Sequence, residues 1–216
     1  MAGAKYPILA REGWAHVAIV TAAAVVVHWA AGGWWAFPLW IAVAFVIQFF
    51  RDPPRTIPAE PLGVVCPADG RIIAVGETED PYLKRPSLRV SVFMNVFNVH
   101  SNRSPVEGKV QECWYHRGKY INASLDKASS ENERNALWIR TDEGDDIVVV
   151  QVAGLIARRI LCYISPGERI GQGQRYGFIR FGSRVDVYLP PTSVLKVALG
   201  DRVKGGSDLI GLLVHA

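Results

Sequence analysis

The feature that most restricts the fold of this chain is a stretch of 38 residues, 13–50, without a single Asp, Glu, Lys or Arg. So long an uncharged run has to be covered, by protein or by lipid. Gly32-Gly33 divides it into 16–31 and 34–50. Each part is near the lower limit for crossing about 30 Å of hydrocarbon at about 1.5 Å per residue. Trp14, Trp29, Trp34, Trp35 and Trp40 gather near the ends and the turn, where indole favours the membrane interface. Arg51-Asp52-Pro53-Pro54-Arg55 follows without a small-residue cleavage site, which argues against a removed signal peptide. The expectation is a membrane-embedded or membrane-associated helical hairpin over 1–52, either two thin spans or a re-entrant pair. A buried hairpin in a soluble protein is the alternative. If both ends share a side, Lys5, Arg11, Arg51 and Arg55 put it in the cytoplasm by the positive-inside tendency. His16 and His28, inside the run, suit interfacial or packed positions.

Over 53–216 the character changes. Short runs punctuated by Gly, Pro and Asp predict strands at 63–66, 71–76, 88–93, 108–115, 136–140, 147–153 and 184–188. Ile147-Val148-Val149-Val150 is β-branched throughout and suits a buried strand. Helix is expected only at 128–134, where Ser130 and Glu133 have capping-box spacing, and around 154–160. The fold class is mainly β (α+β), a β-sandwich or barrel-sandwich-like domain behind the hairpin. A weak repeat supports this: Gly167-Glu168-Arg169-Ile170-Gly171-Gln172-Gly173 and Gly200-Asp201-Arg202-Val203-Lys204-Gly205-Gly206 share Gly-acid-Arg-aliphatic-x-x-Gly. Barrel-sandwich carrier domains use such polar turns feeding short strands.

Charge excludes other classes. Lys plus Arg is 24 against 20 Asp plus Glu, with no basic block, so a nucleic-acid partner is not expected. Cys66, Cys113 and Cys162 are odd in number, far apart and without metal spacing. They read as small buried hydrophobes, and no metal is expected.

Three segments carry the chemistry. Phe181-Gly182-Ser183-Arg184 sits between two strand-like runs. It is not a Gly-x-Ser-x-Gly nucleophile elbow. A serine that attacks the carbonyl before it needs a bent peptide, and a preceding Gly removes the obstructing Cβ. Cys66-Pro67-Ala68-Asp69-Gly70 places an acid on a tight turn. Residues 96–105 place His100 and Arg103 at the end of an apolar segment. Singly, Gly182-Ser183 reads as a turn, Asp69 as a turn former and His100 as a structural histidine.

Together they resemble the short, bacterial and archaeal-type phosphatidylserine decarboxylases, which are pyruvoyl-dependent. The matching stretches are Pro67-Ala68-Asp69-Gly70, residues 95–108, Gly118-Lys119-Tyr120-Ile121-Asn122-Ala123 with 126–135, and Phe181-Gly182-Ser183-Arg184-Val185-Asp186. The N-terminal hairpin fits the family too. Longer members carry a second histidine where this chain has Arg103, so their division of labour between two histidines does not transfer.

The resemblance implies self-cleavage between Gly182 and Ser183. His100, oriented by Asp69, takes the Ser183 hydroxyl proton, and Oγ attacks the Gly182 carbonyl. Elimination and hydrolysis then leave a pyruvoyl group at 183, with a β chain 1–182 and an α chain 183–216 as a heterodimer. The pyruvoyl ketone forms a Schiff base with phosphatidylserine, and decarboxylation gives phosphatidylethanolamine at the cell membrane, with the catalytic domain on the cytoplasmic side. Arg103, Lys119 and Arg184 are candidate phosphate ligands, and His116 is the next candidate base. Two other readings compete. One is a membrane-tethered barrel-sandwich carrier, since Asp126-Lys127-Ala128 echoes a modified carrier lysine. The other is a Ser-His-Asp hydrolase built on Ser183, His100 and Asp69.

Overall fold

A computed structural model describes residues 6–125, 127–155, 159–180 and 182–214. The chain divides into two compact units, Met1–Pro54 and Arg55–Ala216.

The first unit is the hairpin. A short 3-10 turn, Arg11–Gly13, leads into α1 (Trp14–Ala31), and α2 (Gly33–Phe49) returns. Gly32 joins them at φ +90°, a left-handed value that favours glycine. Ala24 and Ala36 are fully buried between the helices, whereas Trp29 and Trp34 are 85% and 86% exposed. The ends of the hairpin meet: the Ala10 amide donates to the Phe50 carbonyl at 2.8 Å and the Asp52 amide to the Ile8 carbonyl at 2.6 Å. Arg11–Ala31 is long and apolar enough to cross a membrane, while Gly33–Phe49 is shorter. Helices so apolar and so little covered by protein match lipid contact better than a soluble core.

The second unit is mainly β. Its strands are β1 (Gly63–Val65), β2 (Gly70–Asp80), β3 (Arg85–Met94), β4 (Ser101–Arg103) and β5 (Gly108–His116). After α3 (Ala128–Glu131) come β6 (Arg134–Arg140), β7 (Asp146–Ala153), β8 (Ile160–Cys162) and β9 (Arg169–Ile170). The last are β10 (Arg175–Ile179), β11 (Ser183–Leu189), β12 (Val194–Leu195), β13 (Arg202–Val203) and β14 (Leu209–Leu212). Eight of them form one antiparallel sheet in the order β13-β2-β3-β11-β7-β6-β5-β9. Two three-stranded sheets, β1-β14-β12 and β4-β10-β8, complete the unit.

Strand alternation sorts β11 into two faces. Val185, Val187 and Leu189 enter the main core with Val90, Val92 and Met94 of β3, Ile147 and Val149 of β7, and Leu137 and Ile139 of β6. The opposite face packs Tyr188 with Val148, Val150, Val152 and Ala128. The repeated glycine motif becomes the two edges of the large sheet: β9 pairs with the start of β5, and β13 with the start of β2. Each edge strand is two residues long, with an exposed arginine and a buried aliphatic residue, a form that resists edge-to-edge association.

Helix is shorter than expected. It ends at Glu131, because Arg134 onward pairs with β7 and the Asn132 side chain bonds Ile121 and Ala153. Glu133 makes no capping box: its carboxylate accepts from the Tyr115 and Tyr120 hydroxyls. Of the helix expected around 154–160, residues 156–158 lie outside the described residues, and Ile160 opens a strand.

Candidate active site

Ser183 is the first residue of β11, with Met94 opposite on β3 and Ala153 opposite on β7. It stands on the core face of the strand, fully buried, with Oγ 4.0 Å from the Met94 Sδ. Gly182 before it has φ +63°, and a Cβ there would meet nothing within 4 Å. Its carbonyl lies against the Cα of Gly154, where a Cβ would collide with the carbonyl oxygen. The bend is therefore supported from β7 and open on its other side. Phe181 lies outside the described residues.

The three sequence segments converge here. Gly70 opens β2 beside Met94, because Arg71 pairs with Phe93, so Gly70, Met94, Ser183 and Ala153 stand level across four adjacent strands. Asp69 and the residues after Met94 thus leave the sheet at the end where Gly182 enters it. β10 leads toward Gly182, and the Ile179 amide donates to the His100 carbonyl at 3.3 Å.

His100 is fully buried. Its Nδ1 is 3.0 Å from the Asn98 carbonyl oxygen. A carbonyl can only accept, so Nδ1 carries a hydrogen, and in the neutral form of the ring the lone pair is on Nε2. Alternation puts His100 and Asn102 on one side of the β4 backbone, and the Asn102 Nδ2 reaches the same Met94 sulfur, at 3.9 Å, that Ser183 touches.

Asp69 requires a correction. Its two carboxylate oxygens accept from Arg55 Nη2, both at 2.9 Å, and Oδ1 accepts from the Gly205 amide at 2.8 Å. The acid is bonded to Arg55 rather than to the His100 ring. A guanidinium offers a charge-assisted bond that outcompetes a neutral imidazole for a carboxylate. The hydrolase reading thereby loses its triad contact. In the sequence Arg55 stands out only as a charge flanking the hairpin, not as the partner of Asp69.

Arg184 is also corrected. It is 1% exposed and points to the second face, paired with Asp186 (Nε to Oδ1 at 2.8 Å, Nη2 to Oδ2 at 3.0 Å). Its Nη1 donates to the Ala123 and Leu125 carbonyls, at 3.2 and 3.1 Å. Arg184 therefore clamps the loop over 118–125 and is buried against protein, not placed for lipid phosphate. Arg103 is buried, donates Nη1 to the Gly173 carbonyl at 3.2 Å and packs beside Gly206, across β4 from His100. Lys119 is the accessible cation: its side chain is 73% exposed, with an ion pair to Glu131 at 3.2 Å. His116 stands by Tyr82 on the second face, 6.0 Å between ring centroids, away from Ser183.

Lys127 precedes α3 instead of standing at the tip of a hairpin, so the carrier reading has no support; Asp126 lies outside the described residues. Cys66 is buried, and burial pushes its thiol pKa well up, as befits a packing residue. Among the described residues no group of His, Cys, Asp and Glu could hold a metal ion.

Residues 42–211 match the phosphatidylserine decarboxylase family. The chain belongs to that family. It is 60% identical over 208 residues to the phosphatidylserine decarboxylase proenzyme of Aromatoleum aromaticum, covering 96% of this chain and 97% of that one. To the proenzyme of Nitrosomonas europaea it is 61% identical over 198 residues, 92% of each chain. To that of Burkholderia ambifaria it is 57% identical over 208 residues, 96% and 97%. Arg55, Asn102, Asn132 and Gln151, whose site contacts no local sequence pattern announces, surround the same sheet end as Ser183.

Proposed function

We propose that this chain is a proenzyme that cuts itself between Gly182 and Ser183, acquires a pyruvoyl group at 183, and decarboxylates phosphatidylserine to phosphatidylethanolamine. The observation that carries the reading is the buried Ser183 behind a glycine bent to φ +63° whose carbonyl rests on a second glycine. A dry, fixed site favours an intramolecular attack because the entropy of approach is already removed.

The steps balance within the chain. His100 Nε2 takes the hydroxyl proton of Ser183. Oγ bonds to the Gly182 carbonyl carbon, the C–N bond breaks, and the nitrogen leaves protonated as an amine, which gives an ester. Loss of the Ser183 Cα proton then breaks the Cβ–Oγ bond, and Gly182 departs as a carboxylate. Water displaces the remaining nitrogen as ammonia and a ketone stays at 183. That pyruvoyl ketone supplies the electron sink for decarboxylation, and His100 Nε2 holds the proton that the product needs. The residues present fit the group: Ser183 supplies its atoms, and the space around Gly182 allows its carboxylate to leave.

The halves should stay together as a heterodimer. After cleavage β11 remains hydrogen-bonded between β3 and β7, while β14 pairs with β1 and β13 with β2. Lys119 is the first candidate for the lipid head group. Exposed Phe97, Leu125 and Leu155 emerge from three loops at this end of the sheet, near exposed Lys119, Lys127 and Arg159, a pattern suited to an anionic bilayer surface. Because the ends of the hairpin meet, Arg11 and Arg51 share a side, which supports a cytoplasmic placement.

Intact mass of the purified protein tests the reading. The expected result is a 34-residue C-terminal chain beginning at position 183 and blocked by a ketone. A folded, full-length chain with an unmodified Ser183 would refute it.

A further inference from the structure

Three amide side chains run through the core toward Ser183. Asn135 Nδ2 donates to Gln151 Oε1 at 3.1 Å, and Gln151 Nε2 donates to Asn102 Oδ1 at 2.8 Å. Asn102 Nδ2 then points at the Met94 sulfur, 3.9 Å away, and Ser183 Oγ touches that sulfur at 4.0 Å. Asn102 and Gln151 are wholly buried and Asn135 is 4% exposed. The amide-to-amide bonds all run one way, toward the serine, while the second Gln151 Nε2 hydrogen goes to the Leu161 carbonyl at 3.2 Å.

Buried amides in an apolar core cost free energy unless their hydrogen bonds are made. Here the last donor meets a thioether, a weak acceptor, although the sheet accommodates the chain by a specific device. Gly177 of β10 lies where Gln151 crosses to Asn102, and a Cβ at 177 would strike the Gln151 Nε2. Asn102 itself is opposite Gly177 across the β4–β10 pair.

We infer that Asn102 Nδ2–H is the donor that receives the developing negative charge on Ser183 Oγ as its proton leaves. Gln151 and Asn135 act as positioning residues that fix which end of the Asn102 amide faces the serine. When His100 removes the hydroxyl proton, the Nδ2–H exchanges its weak bond to sulfur for a charge-assisted bond to the alkoxide. No atom is transferred through the amides. Gln151 orients Asn102 because its Nε2 demands the Asn102 oxygen, which leaves the nitrogen toward Met94 and Ser183. The inference rests on self-cleavage at Gly182–Ser183.

The test measures self-cleavage of freshly synthesised full-length chain in a cell-free reaction, followed on denaturing gels, with thermal midpoints measured in parallel. Wild-type chain must first give the two fragments; if it does not, the self-cleavage reading itself fails. The triple variant Asn102→Leu/Asn135→Leu/Gln151→Met replaces all three linked amides by apolar groups of similar size, so that no amide of the set is left unpaired, a change that is commonly neutral or stabilising. It should keep its thermal midpoint yet cleave at least about tenfold more slowly, the worth of roughly one buried hydrogen bond. A merely structural role would move stability and cleavage together. Gln151→Glu keeps the size but turns the end that faces Asn102 from a donor into an acceptor, which draws the Asn102 nitrogen away from the serine. It should slow cleavage similarly, and it supplies the same test if the triple variant does not fold. Wild-type cleavage rates in either folded variant, or slowing matched by an equal loss of stability in both, would overturn the inference.

Discussion

The carbonyl oxygen of Gly182 rests on the Cα of Gly154, with no room for a side chain between them. The contact joins the residue after β7 to the residue before β11, so the bond to be cut is held by its neighbouring strand. Gly154→Ala would put a methyl group against the carbonyl, and either the bend at Gly182 or the end of β7 must move. Such overpacking costs typically about 1–3 kcal/mol. The expected outcome is a folded proenzyme with a lowered thermal midpoint that remains largely a single chain on a denaturing gel. Rapid processing of this variant would show that the contact does not set the geometry of attack.

Ser183→Ala should remain one chain and lose all decarboxylation, because no oxygen is present to begin the rearrangement. Asp69→Asn should also slow processing, but by a route different from the one a triad would use. Asp69 bonds Arg55 and the Gly205 amide, so its loss releases a largely buried guanidinium, with side-chain exposures of 8% and 15% for the pair. Breaking one partner of a buried pair costs on the order of 3–5 kcal/mol. Arg55→Met should therefore lower the thermal midpoint as Asp69→Asn does, and the double variant should recover much of it. If Asp69→Asn slows cleavage while Arg55→Met leaves both cleavage and stability intact, the acid acts on the imidazole directly.

Much of this architecture is legible in the residues, and the failures have physical reasons. The hairpin and the long strands announce themselves because periodicity and uncharged length span many residues. The glycine repeat pointed to short strands fed by polar turns, but not to their place at the two edges of the large sheet. β4 is only three residues between tight turns, too short for alternation to reveal that His100 and Asn102 share a side. Arg184 reads as a surface charge when taken alone, yet Asp186 two residues on shares its strand face, and that spacing signals a buried pair. The bond from Asp69 to Arg55 joins positions whose proximity depends on the tertiary fold, so no local pattern carries it. The amides at 135 and 151 do leave a trace: each extends an apolar alternating stripe, Asn135-x-Leu137-x-Ile139 and Ile147-x-Val149-x-Gln151, toward the same end of the sheet.

Arg184 offers a sharp separation between structural and substrate roles. Arg184→Met strands the Asp186 carboxylate in the interior and frees the carbonyls of Ala123 and Leu125. Stability should fall by about 3–5 kcal/mol, and limited proteolysis should now cut within 118–125. Arg184→Met/Asp186→Leu should regain a substantial part of the stability but not the protection of the loop. A variant of unaltered stability whose only defect is a raised KM for phosphatidylserine would return Arg184 to the head-group site.

Acid should weaken one corner of the large sheet before the core. Burial acts to raise the Asp146 carboxyl, but donation from Arg140 at 2.8 Å and from the Trp138 indole at 2.7 Å outweighs it and holds the pKa below the ordinary value. A carboxyl whose pKa is lowered on folding contributes stability above its unfolded pKa, near 4, and loses it as pH falls through the folded value. The Arg140 side chain is 49% exposed, so solvent screening keeps the contribution small. Asp146→Asn should accordingly lower the urea midpoint slightly at pH 7, and its difference from the wild-type midpoint should shrink as pH falls below 4. A midpoint unchanged at pH 7 would remove the pair from the stability of β6 and β7.

Removal of 1–50 tests whether the hairpin supplies membrane residence alone. The chain divides at Pro54, and Ser183, His100, Asn102 and Asp69 all lie in the second unit, as do Arg55, Met94, Asn98 and Gly205, to which they bond. The truncated chain should fold and process at the wild-type rate. Its turnover of phosphatidylserine in vesicles should fall by an order of magnitude or more, since the enzyme then meets the bilayer only through transient contacts. Dispersed short-chain phosphatidylserine is the control, because it needs no membrane residence and should be decarboxylated equally by both forms. Raising salt should depress the vesicle activity of the truncated form further, since the exposed Lys119, Lys127 and Arg159 would then be its main attraction to an anionic surface. Equal activity of both forms on vesicles would deny the hairpin an anchoring role, and failure to process would show that it helps to build the site.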